Sequence, residues 1–330
     1  GLARDGRGAA GVTWVVTGGA GYIGAHVVRA FQASGMDVAV IDDLPTGHRR
    51  FVPEGVPFLE ADITATTSVA HFLRAQQARG VVHVAGYKYA GESVRSPLLT
   101  YRINVQGTVS VLEAMQSAEV GSLVFSSSAA VYGTPESEVV TEDTALRPES
   151  PYGESKLIGE WLLADQGRAA DLRHTSLRYF NVVGSGSHQV WDSSPHNLFP
   201  LVFDALQQGK RPRIFGDDYP TEDGTCVRDY VHVSDVAAAH VTAARRLAGG
   251  DPVEPVYNLG SGAGTSVRSI MDTVRKVTGV NVEPLVKARR PGDPARIVAD
   301  GSRAARDLEW RMRHSLEDMV LSAWRARAGR

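Results

Sequence analysis

Residues 13–24 read Thr-Trp-Val-Val-Thr-Gly-Gly-Ala-Gly-Tyr-Ile-Gly, an apolar run that breaks into a glycine-rich turn. The run Thr13–Thr17 is expected to be a strand and Ile23–Ala33 a helix. Gly18, Gly21 and Gly24 stand three residues apart between them. Glycine there permits a tight turn, lets backbone N–H groups approach a pyrophosphate, and lets the helix pack closely on the sheet. The helix N-terminus then favours the phosphate charge. Glycine-rich turns are common, so it is the placement of this one between strand and helix that speaks for a dinucleotide.

Outward from that turn, the next apolar run, Asp37–Ile41, ends in Asp42-Asp43. An acidic side chain there can hydrogen-bond the adenosine ribose hydroxyls and would repel a 2′-phosphate, which favours NAD over NADP. The competing reading makes Asp42 the cap of a turn before Pro45, and Arg49 and Arg50 keep NADP open. Further runs at Pro57–Glu60, Val81–Ala85, Ser122–Ser126 and His174–Tyr179 are nearly continuous in apolar residues, as in strands buried on both faces. Helical patterns at Val69–Gln77, Leu98–Ala118 and Tyr152–Gln166 alternate with them. This βαβ order predicts an α/β fold with a doubly wound parallel sheet.

After Asn181 the texture changes. Residues 184–197 (GSGSHQVWDSSPHN) are polar and loop-like, and Gly216–Thr225 is dense in Gly, Pro, Asp and Thr. Strand-like Tyr230–Val233, helical Asp235–Arg246 and strand-like Val256–Leu259 follow, with a last helix at Leu316–Arg325. The expected organisation is a flexible tail at 1–11 and a dinucleotide-binding domain at 12–181, to which segments near 229–260 return. A smaller mixed α/β substrate lobe is expected from 182–228 and 261–330.

The chain has 330 residues, 43% hydrophobic and 22% charged, with a net charge of −2, so no long-range field gathers nucleic acid or anionic lipid. A single cysteine, Cys226, excludes an internal disulfide and points to a reducing, cytoplasmic setting. No apolar run approaches the roughly 20 residues that span a bilayer, so no membrane partner is expected. The Gly/Ala/Arg-rich first eleven residues lack the apolar stretch of a secretory signal.

Tyr152-Gly153-Glu154-Ser155-Lys156 sets Tyr152 and Lys156 four apart at a helix start, hence on one face. A nearby ammonium and a positively charged nicotinamide would lower the tyrosine pKa from about 10 towards neutrality, where it serves as a general base. Such a pair is common helix decoration. Ser126-Ser127-Ser128, at the end of a core strand and before Ala129-Ala130-Val131-Tyr132-Gly133, supports the catalytic reading. A hydroxyl there can bridge the tyrosine and a substrate hydroxyl, or else satisfy backbone groups at the strand end.

Taken together, the glycine loop, the strand-end serine and the Tyr-x-x-x-Lys pair resemble the extended short-chain dehydrogenase/reductase family. The resemblance is closer still to the UDP-glucose 4-epimerases and runs from about Thr13 to Trp310. TGGAGYIG (17–24), AGYKYAGESV (85–94), SSSAAVYG (126–133), SPYGESKL (150–157), RYFN (178–181), YPTEDGTCVRDYVHV (219–233) and RRPGD (289–293) carry it. It implies a Rossmann-type sheet, NAD as a retained cofactor, a UDP-sugar substrate and a homodimer. Gly18, Gly21, Tyr22, Ile23, Asp42, Asp43, Asp62, Ile63, Ala85, Gly86, Lys88, Asn104, Tyr152, Lys156 and Phe180 would surround NAD. Asp62 reads almost equally well as a helix cap. Ser128, Tyr152 and Lys88 would face the sugar, and Asn181, Asn197, Leu198, Arg228, Arg290 and Asp293 the UDP. Two arginines suit a pyrophosphate because their forks match its oxygens.

Departures narrow the chemistry. Related 4,6-dehydratases carry an acidic pair before Val-Tyr-Gly and related UDP-glucuronate decarboxylases a glutamate; this chain has Ala129-Ala130, which moves no proton. Ile297 stands where some relatives have a bulky tyrosine, and this smaller side chain would open the wall to an N-acetyl group. The 184–196 loop is short, carries His188 and Trp191, and holds no arginine for a uronate. A catalytically silent NAD-binding regulator, the alternative of another class, would not be expected to keep Ser128, Tyr152 and Lys156 together. His83, His196, His232 and His240 lack metal-ligand spacing, and no metal is expected.

Overall fold

The computed structural model describes residues 13–290 and 292–328; the tail expected at 1–11 lies outside the described residues. The strands in the first half are β1 (Thr13–Thr17), β2 (Val38–Asp42), β3 (Phe58–Glu60), β4 (Ala78–His83), β5 (Ser122–Ser128), β6 (Val139–Val140) and β7 (Arg173–Tyr179). Those in the second are β8 (Asn181–Val183), β9 (Arg213–Phe215), β10 (Val227–His232), β11 (Val256–Leu259), β12 (Gly264–Ser266), β13 (Leu285–Lys287) and β14 (Arg296–Ala299). The first six helices are α1 (Tyr22–Ala33), α2 (Thr66–Ala75), α3 (Ala90–Arg95), α4 (Pro97–Tyr101), α5 (Gly107–Ser117) and α6 (Pro151–Ala170). After them come α7 (Leu198–Gln207), α8 (Val233–Gly249), α9 (Val267–Thr278), α10 (Ser302–Asp307) and α11 (Leu316–Ala328).

Seven strands form one parallel sheet in the order β11-β7-β5-β4-β1-β2-β3. Successive residues of β1 point to opposite faces, and both faces are covered. Trp14 and Val16 join a core with Val27, Val28 and Phe31 of α1 and Val236 and Ala239 of α8. Val15 joins the other core, with Val69 and Leu73 of α2, Met115 of α5 and Leu163 of α6. Burying side chains of this size contributes about 1.5–3 kcal/mol each, which is why the runs read as continuously apolar. Gly80 of β4 makes room for the Trp14 ring, since a Cβ there would lie 2.5 Å from it.

Strand order reverses between β1 and β4. A crevice opens at that switch point, outside the carboxyl ends of the strands. Those ends carry Thr17, Asp42, His83, Ser128 and Tyr179. A second sheet, β12-β10-β14-β6 with β8 paired to β10, stands opposite them, and Phe180 alone separates β7 from β8.

Three expectations change. β11 pairs with β7, but β10 pairs with β8, β12 and β14 rather than returning to the seven-stranded sheet. The reason is Asp229, fully buried, whose carboxylate accepts from Ser261 N (2.6 Å), Ser261 Oγ (2.7 Å), Gly262 N (3.1 Å) and Ala299 N (3.1 Å) of the second sheet and its loops. The helix expected over 98–118 changes pitch: α4 gives way to a π-helical turn, Arg102–Gln106, before α5. β4 starts earlier than expected and ends at His83, because Val84 and Ala85 turn their N–H groups onto the Thr17 carbonyl (3.1 and 3.0 Å).

Candidate active site

A cavity of about 710 Å³ fills the crevice. Its size falls within the range of roughly 300–1,000 Å³ usual for ligand pockets. Gly18, Gly21, Tyr22, Ile23, Asp42, Asp43, Asp62, Ile63, Ala85, Gly86 and Lys88 line one end. Ser128, Tyr152, Lys156, Phe180, Asn181, Asn197 and Leu198 line the rest, so eighteen of the expected residues meet around one space.

The glycine turn is shaped by sterics. Gly18 has φ 73°, and a Cβ on it would come within 2.7 Å of the Ala85 amide nitrogen. A Cβ on Gly24 would run into the Gly18 carbonyl oxygen. Helix α1 follows Gly21, which offers no side-chain cap, and this leaves its first-turn N–H groups and the positive end of its dipole to a ligand. Asp42 takes the Ala20 amide on Oδ2 (2.9 Å) and the Leu44 amide on Oδ1 (2.8 Å), and each oxygen keeps a lone pair. Burial pushes its carboxyl up, against the pull of those two amides. Asp62 accepts from Thr64 N and Oγ1 (both 2.8 Å), so it caps its own turn while lining the cavity. Arg49 and Arg50 lie over the rings of Phe58 (4.5 Å) and Trp191 (4.6 Å). A bare cradle that a Cβ would fill, an uncapped helix start and a carboxylate after β2 fit an unphosphorylated dinucleotide such as NAD.

Ser150 caps α6 through Gly153 N (3.1 Å), with Pro151 in the first turn, and this fixes Tyr152 and Lys156 on the face towards β5. Lys156 Nζ donates to the Ser126 carbonyl (2.9 Å) and lies 5.9 Å from the Tyr152 ring centre. Burial lowers its ammonium to about 8. Burial also raises the Tyr152 phenol, and a hydrogen bond with Ser128 opposes the rise. In the protein alone, desolvation of the phenolate outweighs its local partners, whereas the fall expected for Tyr152 includes the charge of a bound nicotinamide.

Five expected residues do not line the cavity. Asn104, in the π-helical turn, stands behind the wall: it takes Tyr87 N (2.7 Å) and donates to Tyr87 O and Ser155 Oγ (both 2.9 Å). Ser155 in turn donates to the Tyr152 carbonyl (2.7 Å). Arg228 turns to Asp293 (3.4 Å) and to the carbonyls of Val227 (2.9 Å) and Pro294 (2.8 Å). Arg290 lies on the Phe215 ring (4.0 Å), and Ile297 packs on the cluster containing Val131, Phe180 and Ala299.

Residues not assigned to the site from the sequence also join it. Tyr179 lines the cavity, bonds Ser126 Oγ (2.6 Å), and reaches His240 Nε2 of α8. His240 Nδ1 lies 2.9 Å from the Val236 carbonyl, so that nitrogen carries the proton and Nε2 accepts from Tyr179. His83 joins Thr17 Oγ1 (2.7 Å) to Thr108 Oγ1 (3.0 Å), and Thr108 donates to Asn104 O (2.6 Å). Burial holds both imidazoles neutral, at about 3 for His83 and about 4 for His240. Tyr179 stands inside the quoted RYFN string; the histidines gave no local signal. Among the described residues, no group of three or more His, Cys, Asp or Glu is placed to hold a metal, and no helix is long and apolar enough to cross a membrane.

Comparison with known proteins agrees with this geometry. Residues 14–260 match the NAD dependent epimerase/dehydratase family. The UDP-glucose 4-epimerase of Lactobacillus helveticus is 42% identical over 94% of this chain and 96% of its own. A crystal structure of UDP-glucose-4-epimerase from Stenotrophomonas maltophila, with bound NAD and formylated UDP-arabinopyranose, superposes with TM-score 0.91 at 39% identity, covering 96% of this chain and 98% of that one. The UDP-Glc/GlcNAc 4-epimerase of Campylobacter jejuni superposes with TM-score 0.85 at 33% identity, over 96% of this chain and 99% of its own. The chain therefore belongs to the NAD-dependent epimerase/dehydratase family.

Proposed function

We propose that this chain inverts C4 of a UDP-hexose of the UDP-glucose/UDP-galactose type, with NAD retained through turnover. The observation that carries it is one cavity in which Ser128, Tyr152 and Lys156 meet a dinucleotide turn, beside an Ala129-Ala130 that cannot drive elimination. The α1 N-terminus with Gly18, Gly21, Tyr22 and Ile23 holds the pyrophosphate. Asp42 and Asp43 hold the adenosine ribose, Asp62 and Ile63 flank the adenine, and Ala85, Gly86, Lys88, Lys156 and Phe180 border the nicotinamide half. Bound NAD would supply the hydride acceptor and donor at sugar C4, and return of the hydride to the opposite face would invert that carbon. Tyr152, as phenolate, removes the 4-hydroxyl proton, Ser128 shortens the proton's path, and the Lys156 charge favours the phenolate. Asn181, Asn197, Leu198, Arg228, Arg290 and Asp293 anchor the UDP, so that the keto sugar can turn while the nucleotide stays. Segments 182–228 and 261–330 act as that nucleotide-sugar lobe.

A UDP-N-acetylhexosamine is the second substrate: Ile297 replaces a bulkier ring and packs behind Phe180, which does line the cavity. The protein is expected to work as a cytoplasmic homodimer. The exposed Leu98 (78%) and Trp161 (56%), on α4 and α6, support a paired-helix contact. The purified protein should convert UDP-galactose to UDP-glucose with its bound NAD, and a panel with UDP-N-acetylgalactosamine and UDP-glucuronate sorts the sugar. Tyr152→Phe should lose roughly a thousandfold in turnover while still binding UDP and NAD. Normal turnover by that variant would contradict the reading.

A further inference from the structure

Between Asp42 and Phe58 the chain belongs to no strand. It leaves β2, crosses the glycine turn and lays Pro45, Thr46 and Gly47 along the cavity wall. The crossing is tight: His48 N donates to the Ala20 carbonyl (2.9 Å), and a Cβ on Gly47 would come within 2.9 Å of the same oxygen. On the far side of this strap, Arg49–Phe51 form one 3₁₀ turn, and the polar loop at 184–197 meets it there. The Trp191 ring packs edge-on against Phe51 (centroids 4.8 Å, 80°), lies 4.6 Å from the Arg50 guanidinium and stands 6.0 Å from the His48 ring. Beneath it, Val190 and Phe51 are buried in one cluster with Tyr22 and Ala25 of α1. Arg29 of α1 bonds both the Phe51 carbonyl and Gln189 Oε1.

We infer that Trp191 is a positioning residue for the cofactor: by gripping Arg50 and Phe51 it holds the strap shut over the adenosine end and so sets how long NAD stays bound. The inference rests on the proposed reading that this cavity holds NAD. The same loop reaches the other ligand. Asp192, next to Trp191, accepts from Ser194 N (2.9 Å) and Asn197 Nδ2 (2.7 Å), and Asn197 lines the cavity. A nucleotide held at Asn197 therefore stiffens the loop that carries Trp191. Occupancy by UDP slows NAD release through this grip. A catalyst that must return a hydride to the carbon it came from gains by such coupling, because the dinucleotide and the keto sugar must not part between the two half-reactions.

The test is the rate at which NAD leaves the loaded protein after dilution into a trap that consumes free NAD, with and without UDP. Trp191→Ala should release NAD at least tenfold faster than wild type, and UDP should slow wild type at least fivefold but the variant less than twofold. Trp191→Phe, which keeps a ring against Phe51, should stay within threefold of wild type. Arg50→Gln, at an exposed side chain outside the loop's core, should release NAD about threefold faster and covers the case of a Trp191 variant that does not fold. Wild-type release rates in both Trp191→Ala and Arg50→Gln would overturn the proposal. So would faster release matched by an equal loss of thermal stability in the NAD-free protein. Wild-type protein that binds no NAD would overturn the functional reading and this proposal with it, whereas NAD held equally by wild type and variants overturns the proposal alone.

Discussion

The two ends of the cavity are built by different means. At the cofactor end the wall is mostly backbone: the Gly18–Gly24 turn, the start of α1, and the Ala85–Gly86 segment hung from the Thr17 carbonyl. Beyond the nucleotide end, three of the expected anchors, Arg228, Arg290 and Asp293, stand off the cavity wall, each already engaged. Arg228 pairs with Asp293 at 16% and 35% side-chain exposure, and Arg290 lies on Phe215. A backbone wall is set once the sheet folds. Side chains held off the wall have to trade partners to reach a ligand. The trade is small, since a partly exposed ion pair contributes about 0–1 kcal/mol and a surface cation–π contact about 0.5–1 kcal/mol. A diphosphate offers these arginines stronger bidentate bonds. One end suits a ligand that stays, the other a ligand that comes and goes.

That contrast can be broken at either end. The largest effect is expected from Gly24→Ala. Its methyl meets the Gly18 carbonyl, so NAD affinity should fall on the order of 100-fold, consistent with an overpacking penalty of about 1–3 kcal/mol. Titration of the NAD-free variant with NAD measures it, and wild-type affinity would show that the turn yields. Next, Arg228→Ala should raise KM for the UDP-sugar roughly 10- to 100-fold, the range for a lost charged hydrogen bond, with kcat and NAD content little changed. Loss of NAD by this variant would erase the division between the ends.

A separate effect concerns stability against pH. Burial holds His26 at about 4, His83 at about 3 and His240 at about 4, all below the unfolded value of roughly 6.5. Between those values the unfolded chain binds more protons than the native one, so stability rises with pH and is lost as pH falls from 6.5 towards 4. Each histidine adds a slope of up to about 1.4 kcal/mol per pH unit. Urea midpoints at pH 7 and pH 5 should show the loss, and equal midpoints would contradict it.

Much of this was legible because strand-end chemistry lies in continuous strings. Thr17–Gly24, Ser126–Ser128 and Tyr152–Lys156 each carry residue type, spacing and element together, and the sheet brings their ends to one crevice. What the sequence hid depends on partners far along the chain. Thr17 meets His83 across 66 residues and Tyr179 meets His240 across 61. The π-helical turn at Arg102–Gln106 carries Asn104, whose bonds go to Tyr87 and Ser155, 17 and 51 residues away in sequence. β10 reads as a strand from either sheet until the partners of Asp229 are known. The pKa of Tyr152 followed burial, which its neighbours in sequence do not reveal.

The most direct measurement of the central claim uses UDP-galactose carrying deuterium at C4, incubated with the NAD-loaded protein. A hydride that leaves C4 and returns within the same cavity predicts UDP-glucose with the deuterium fully retained at C4 and no accumulation of NADH. Product with the label lost to solvent, or NADH formed in step with sugar consumed, would contradict it.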